Sequence, residues 1–173
     1  MNGSVIRRVV GYVLTLEALL LLLPCIVALY YNEQEGYAYL ASSAICLVLG
    51  GAMSLKKPKS NVFYLKEGCV ATALSWIVLS VFGAIPFVLT GEIPHFVDAL
   101  FETVSGFTTT GASILSDVET LANCTLFWRS FTHWIGGMGV LVFILAMIPL
   151  SGGSNMNLMR AESPGPSVSK IVP

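Results

Sequence analysis

The chain has 173 residues, 55% of them hydrophobic and 11% charged, with a formal net charge of −1. Soluble domains carry about 25% charged residues, so this composition excludes an ordinary globule in water and leaves a lipid bilayer as the natural solvent. The net charge is uninformative as a total, whereas its distribution along the chain is informative, and no nucleic-acid partner is expected.

The first apolar stretch, about 9–31, follows Arg7 and Arg8. It exceeds the roughly 7–15 residues of a signal-peptide core, and no small-x-small cleavage site follows, so a retained membrane span is expected. Further stretches of spanning length lie at about 37–55, 68–90 and 125–150. Cys25, Cys46 and Cys69 lie in or beside these runs, where a thiol acts as a small hydrophobe. Cys124 sits in a polar connection with no evident partner, so no structural disulfide is expected.

Charge orients the spans. Arg7 and Arg8, then Lys56, Lys57, Lys59 and Lys66, then Arg160 and Lys170 lie in alternate connections and at the ends. The intervening connections, 32–36 and 91–124, hold Glu33, Glu35, Glu92, Asp98, Glu102, Asp117 and Glu119 and no Lys or Arg. The positive-inside rule then places both ends of this chain in the cytoplasm, with four crossings between them.

The connection 91–124 has internal order. Gly91 and Pro94 break the preceding helix, and Phe96, Leu100, Val104 and Phe107 recur at about one helical turn. The spacing predicts an amphipathic helix over about 94–107, too short to span. The hydroxyl-rich segment 108–113 follows at once, and Gly111 within it can take backbone angles closed to other residues. Two arrangements fit. In one, a re-entrant loop brings irregular backbone to membrane depth, where it must be buried in protein or line a watery path. Its threonine hydroxyls and carbonyls would then offer oxygen to an alkali cation, with the negative helix end directed at the same place. In the other, an exposed loop follows a helix lying on the membrane surface.

At these residues the chain resembles the Trk/Ktr/HKT superfamily of potassium transporters, and within it the TrkH-like potassium uptake subunits. The resemblance rests on "FETVSGFTTTGAS" at 101–113, "HWIGGMGVLVF" at 133–143 and "AESPGP" at 161–166. It implies an all-α integral membrane fold, with four transmembrane helices and a re-entrant pore helix and filter loop between the third and fourth. Residues 1–60 would form two leading helices and a lysine-rich cytoplasmic link. Residues 61–152 would form a helix–pore loop–helix repeat, and 153–173 a cytoplasmic segment leading to further repeats. Backbone carbonyls of Thr109, Thr110, Gly111 and Ala112 would replace the hydration shell of potassium, with Thr108 and Ser113 at the margins. The glycine shared by the family's repeats maps onto Gly111.

The family encloses its pore with four such repeats, whereas this sequence contains one. Further repeats in a longer chain, or a homo-oligomer of four copies, would complete the ring. The resemblance also implies residence in the cell inner membrane and a cytosolic nucleotide-binding regulatory ring as partner. Potassium is expected as the transported substrate, with no cofactor and no other metal.

Other residues admit two readings each. Glu17, near the middle of the first span, is either a neutral or hydrogen-bonded packing residue or a coupling group. Gly136, Gly137 and Gly139 suit close helix approach, or a bend for gating. Arg129 and His133 read as an interfacial anchor beside Trp128 and Trp134. His133 and the distant His95 make no metal site, and the "NCT" at Asn123 is a chance match to a glycosylation pattern. Enzyme motifs such as HExxH, a Walker loop or a nucleophile elbow are missing from the sequence, so no enzymatic role is expected. A non-conducting assembly or regulatory subunit is the remaining alternative function.

Overall fold

The computed structural model describes residues 3–55 and 65–147, without the side chains of 65–67 and of residues beyond 139. Lys56, Lys57 and Lys59, the 161–166 motif and the whole 153–173 segment lie outside the described residues. The chain divides into two units, Met1–Gly137 and Met138–Pro173. The first contains α1 (Gly3–Leu20), α2 (Leu22–Tyr31), α3 (Gly36–Leu55), α4 (Leu65–Thr90), α5 (Phe96–Phe107) and the start of α6 (Asn123–Met147). The second is described only over the rest of α6, where Gly139 lies.

Among the described residues, three helical segments are long and apolar enough to cross a membrane: Gly3–Tyr31, Gly36–Leu55 and Gly68–Thr90. The fourth expected span coincides with α6, and its residues 148–150 lie outside the described part. The helix that carries the first apolar stretch begins at Gly3, so Arg7 and Arg8 are helical. It is interrupted at Leu21. Pro24 explains the break, since it has no N–H for the Leu20 carbonyl and its ring crowds that carbonyl. The irregularity therefore falls one turn before the proline. Pro86, by contrast, is carried inside α4.

Packing is densest between α1 and α3, followed by α4 on α5 and α1 on α4. Gly11 and Gly50 let α1 and α3 approach. A Cβ on Gly50 would lie 2.8 Å from both the Gly11 carbonyl oxygen and the Thr15 amide nitrogen. Ser43 Oγ crosses the same seam to donate to the Ala18 carbonyl at 2.6 Å. Leu14, Ala18, Leu21, Tyr39, Cys46, Ala84, Phe87, Ala99 and Trp128 form the buried core. Leu29, Tyr30, Val48 and Leu55 are largely exposed, the distribution expected of helices with lipid rather than water around them. All four cysteines are free.

Candidate filter loop and its supports

α5 has 12 residues, a length of about 18 Å at the helical rise, short of the roughly 30 Å hydrocarbon core. Its apolar residues divide between two directions. Phe96 and Val104 are exposed, while Glu102, Thr103, Ser105 and Gly106 are buried with Phe107. Of the four apolar residues at helical spacing, Phe107 is buried and Leu100 packs against the core, while Phe96 and Val104 turn outward. The polar residues point inward with Phe107 and Leu100, Thr103 toward Gly83 of α4 and Gly106 toward α6. A Cβ on Gly106 would lie 2.2 Å from Thr132 Oγ1, and one on Gly136 would lie 2.3 Å from the Phe107 carbonyl oxygen. Gly136 thus admits the very end of α5, and Gly137 lies alongside Thr109, with 3.9 Å between a Cβ there and Thr109 Cγ2.

Beyond Phe107 the chain leaves the helix in two tight steps. The Thr109 amide donates to the Gly106 carbonyl and the Thr110 amide to the Ser105 carbonyl, each at 2.9 Å. Thr109 has φ +56° and Gly111 φ +75°. The left-handed region is open to glycine and uncommon for a β-branched residue, so strain is concentrated at Thr109. No neighbouring atom comes within 4 Å of a Cβ built on Gly111. Its requirement is therefore conformational rather than steric.

The oxygens of the segment differ in their engagement. The Thr108 carbonyl accepts from Thr109 Oγ1 at 2.7 Å, and the Ala112 carbonyl accepts from Ser105 Oγ at 2.5 Å. Thr108 Oγ1 lies 2.8 Å from Thr110 Oγ1. The carbonyls of Thr109, Thr110 and Gly111 accept no hydrogen bond among the described residues. Residues 108–114 are exposed in this chain. The hydroxyls mostly hold the loop together, leaving a run of three carbonyls free.

Glu102 ties the far side of the loop. Its carboxylate is buried and accepts from Ser113 Oγ at 3.1 and 3.2 Å and from the Ile114 amide at 3.1 Å. Arg129 Nε of α6 donates to the same carboxylate in a short ion pair. Arg129 is therefore tied to α5 rather than free as an interfacial anchor, and His133 Nδ1 lies 3.0 Å from the Arg129 carbonyl oxygen. Trp128, expected beside it at the interface, is buried and donates to the Gly83 carbonyl at 3.0 Å, whereas Trp134 is exposed.

Two other acidic residues hold the start of α6. Glu33 Oε1 accepts from the Asn123 amide and from Asn123 Nδ2 at 2.8 Å, and Oε2 accepts from the Cys124 amide at 2.9 Å. Glu92 Oε1 accepts from the Ala122 amide at 2.6 Å. These amides precede the first intrahelical bonds and would otherwise lack partners, and the carboxylates also suit the positive helix end. Partial burial pushes the Glu33 carboxyl up, but the Cys124 and Asn123 donors outweigh it and hold it below the usual glutamate range. Asn123 is committed to this cap. Glu17 stands apart: it is buried in α1, and neither carboxylate oxygen has a hydrogen-bond partner among the described residues.

The regular structure of the described residues is all helical, and three apolar helices of spanning length mark an integral membrane protein. Residues 35–172 match the sequence profile of the TrkH cation transport protein family. The chain belongs to that family. It is 37% identical over 171 residues to the Trk system potassium uptake protein TrkG of Escherichia coli, covering 96% of this chain and 35% of that protein. It is 33% identical over 176 residues to the Trk system potassium uptake protein TrkH of Halomonas elongata, covering 100% of this chain and 36% of that one. The crystal structure of the potassium transporter TrkH from Vibrio parahaemolyticus superposes with a TM-score of 0.79 at 32% identity, over 86% of this chain and 32% of that chain. The chain thus spans about a third of the length of the curated relatives it matches.

Proposed function

We propose that this chain supplies one filter segment of a potassium uptake pathway across the cell membrane. The observation that carries the reading is the run of free, exposed carbonyls on Thr109, Thr110 and Gly111, beyond the C-terminal end of a helix too short to span. Unsatisfied carbonyls are not tolerated against hydrocarbon. Turned toward a pore axis they would substitute for the water around a dehydrating potassium ion, with the negative end of α5 adding to the attraction. Thr108, Ala112 and Ser113 frame the run and hold its shape.

The polar face of α5 favours this arrangement over a helix lying on the membrane surface. A surface helix would turn Glu102 and Ser105 to water, and here both are buried against the loop and α6. The exposed Phe96, Phe101 and Val104 are then free for neighbouring repeats or lipid. One loop cannot ring an ion, so further repeats complete the pore. The relatives, about three times as long, favour repeats within one chain over a homo-oligomer.

In this reading residues 1–60 are the leading helices and link, 61–152 the pore-forming repeat and 153–173 the passage to the next repeat. The lysine- and arginine-bearing ends face the cytoplasm of a bacterial cell, across its inner membrane. There a nucleotide-binding ring could dock.

The test is to install this chain in place of the matching third of E. coli TrkG, in cells lacking their own potassium uptake. Growth on limiting potassium that fails with Gly111→Ser supports the reading. Equal growth of parent and variant contradicts it.

A further inference from the structure

Taking the filter reading as its premise, we propose that Glu102 and Arg129 form a positioning pair that sets the potassium-over-sodium preference of the loop. The free carbonyls of 109–111 are bracketed. On one side the Thr109 and Thr110 amides fix the loop to the end of α5. On the other, Ser105 Oγ holds the Ala112 carbonyl, and the Glu102 carboxylate holds Ser113 Oγ and the Ile114 amide. The distance between the brackets sets how far the three carbonyls can close around a smaller ion.

Among the described residues, Glu102 is the member of this bracket that is itself tied by a side-chain bond to another element, through Arg129 of α6. Its side chain is fully buried, and that of Arg129 is 16% exposed. A buried pair of this kind contributes no net charge beside the loop, but losing either partner leaves a charge without compensation. The pair therefore does two separable things. It fixes geometry through the carboxylate's hydrogen bonds, and it keeps the region behind the loop electrically neutral.

These roles predict different responses, measured as rubidium uptake in the transporter formed with the remainder of TrkG and normalised to inserted protein. Glu102→Gln leaves the Arg129 guanidinium unopposed, which raises the half-saturating rubidium concentration by about tenfold. Arg129→Gln leaves the carboxylate unopposed, and half-saturation falls or stays level while sodium competes better. The double variant Glu102→Gln/Arg129→Gln brings half-saturation back within about threefold of the parent. Its preference for potassium over sodium remains reduced by about tenfold, because neutral amides replace the charge-assisted bonds to the loop.

A rise in half-saturation in Glu102→Gln that Arg129→Gln does not share, together with a lowered preference in all three variants, supports the pair. Similar losses of uptake with an unchanged preference would make it a packing contact and overturn the proposal. Should a single variant fail to reach the membrane, the double variant, with no unpaired buried charge, decides by its preference alone. Gly111→Ser in the same assay separates the two levels. If it leaves the preference unchanged, the filter reading fails and this inference with it. If it lowers the preference while the pair variants do not, only this inference fails.

Discussion

Two glutamates in this chain are equally buried, at 1% exposure each, and they live in opposite surroundings. Glu102, on α5, is met by an arginine, a serine hydroxyl and a backbone amide. Glu17, on α1, is met by none. It borders a cavity of about 300 Å³ whose lining is mostly apolar and includes Leu79, Trp76 and Phe107. Burial alone therefore says little about a carboxylate's role. The corner formed by α5, the loop and α6 is organised by polar bonds that converge on backbone needing a defined shape. The α1–α3 side is organised by close packing in which a polar group is an unsupported exception.

Glycine makes the same contrast. Gly50 in the α1–α3 seam and Gly136 in the α5–α6 seam both sit where a Cβ would strike backbone, at 2.8 and 2.3 Å. Gly50 meets the middle of a helix, and Gly136 meets the residue at which α5 gives way to the loop. Substitution by alanine at either is expected to cost about 3 kcal/mol, by forcing helices apart. Thermal unfolding in detergent should show similar losses. Ion preference should change only in Gly136→Ala, and a change in Gly50→Ala as well would erase the distinction between the two regions.

A smaller effect of opposite sign is expected at Glu17. Replacing an unpartnered buried carboxyl with a flexible apolar side chain removes an unmet polar demand of about 2 kcal/mol. Glu17→Met should therefore raise the unfolding temperature and leave uptake intact, and a loss of uptake would give Glu17 a part in coupling. At Gly111, where φ is +75° and space is open, Gly111→Ala should cost about 1 kcal/mol of backbone strain. It should lower stability slightly and potassium preference clearly.

The smallest effect concerns the outer cap on α6. Glu33 has a lowered pKa in the folded chain. Its contribution to stability is complete above the ordinary glutamate value and is lost as pH falls through the lower folded value. The unfolding temperature should decline over that acidic window, and Glu33→Gln should flatten the decline.

Much of this architecture was legible in the sequence, and the part that was not has a definite cause. The spans, the short helix ending at Phe107 and the irregular stretch after it follow from apolar run length and periodicity, which are local properties. The interruption at Leu21 was readable in principle from Pro24. The sidedness of α5 was not, because periodicity reports which residues share a face and not which neighbour that face meets. The Glu102 network was missed because Ser113, Ile114 and Arg129 lie 11, 12 and 27 residues away and meet only when the loop turns back. One signal was present. An arginine within an apolar span needs a partner, and Glu102 is an acidic residue on the helix beside it.

The most direct test of the central claim is rubidium uptake by the transporter carrying this chain, with potassium and sodium as competitors, beside its Gly111→Ser variant. The account predicts uptake that potassium suppresses and sodium does not, with that difference largely lost in the variant. Uptake equally sensitive to both ions in the parent, or an unchanged preference in the variant, would contradict it.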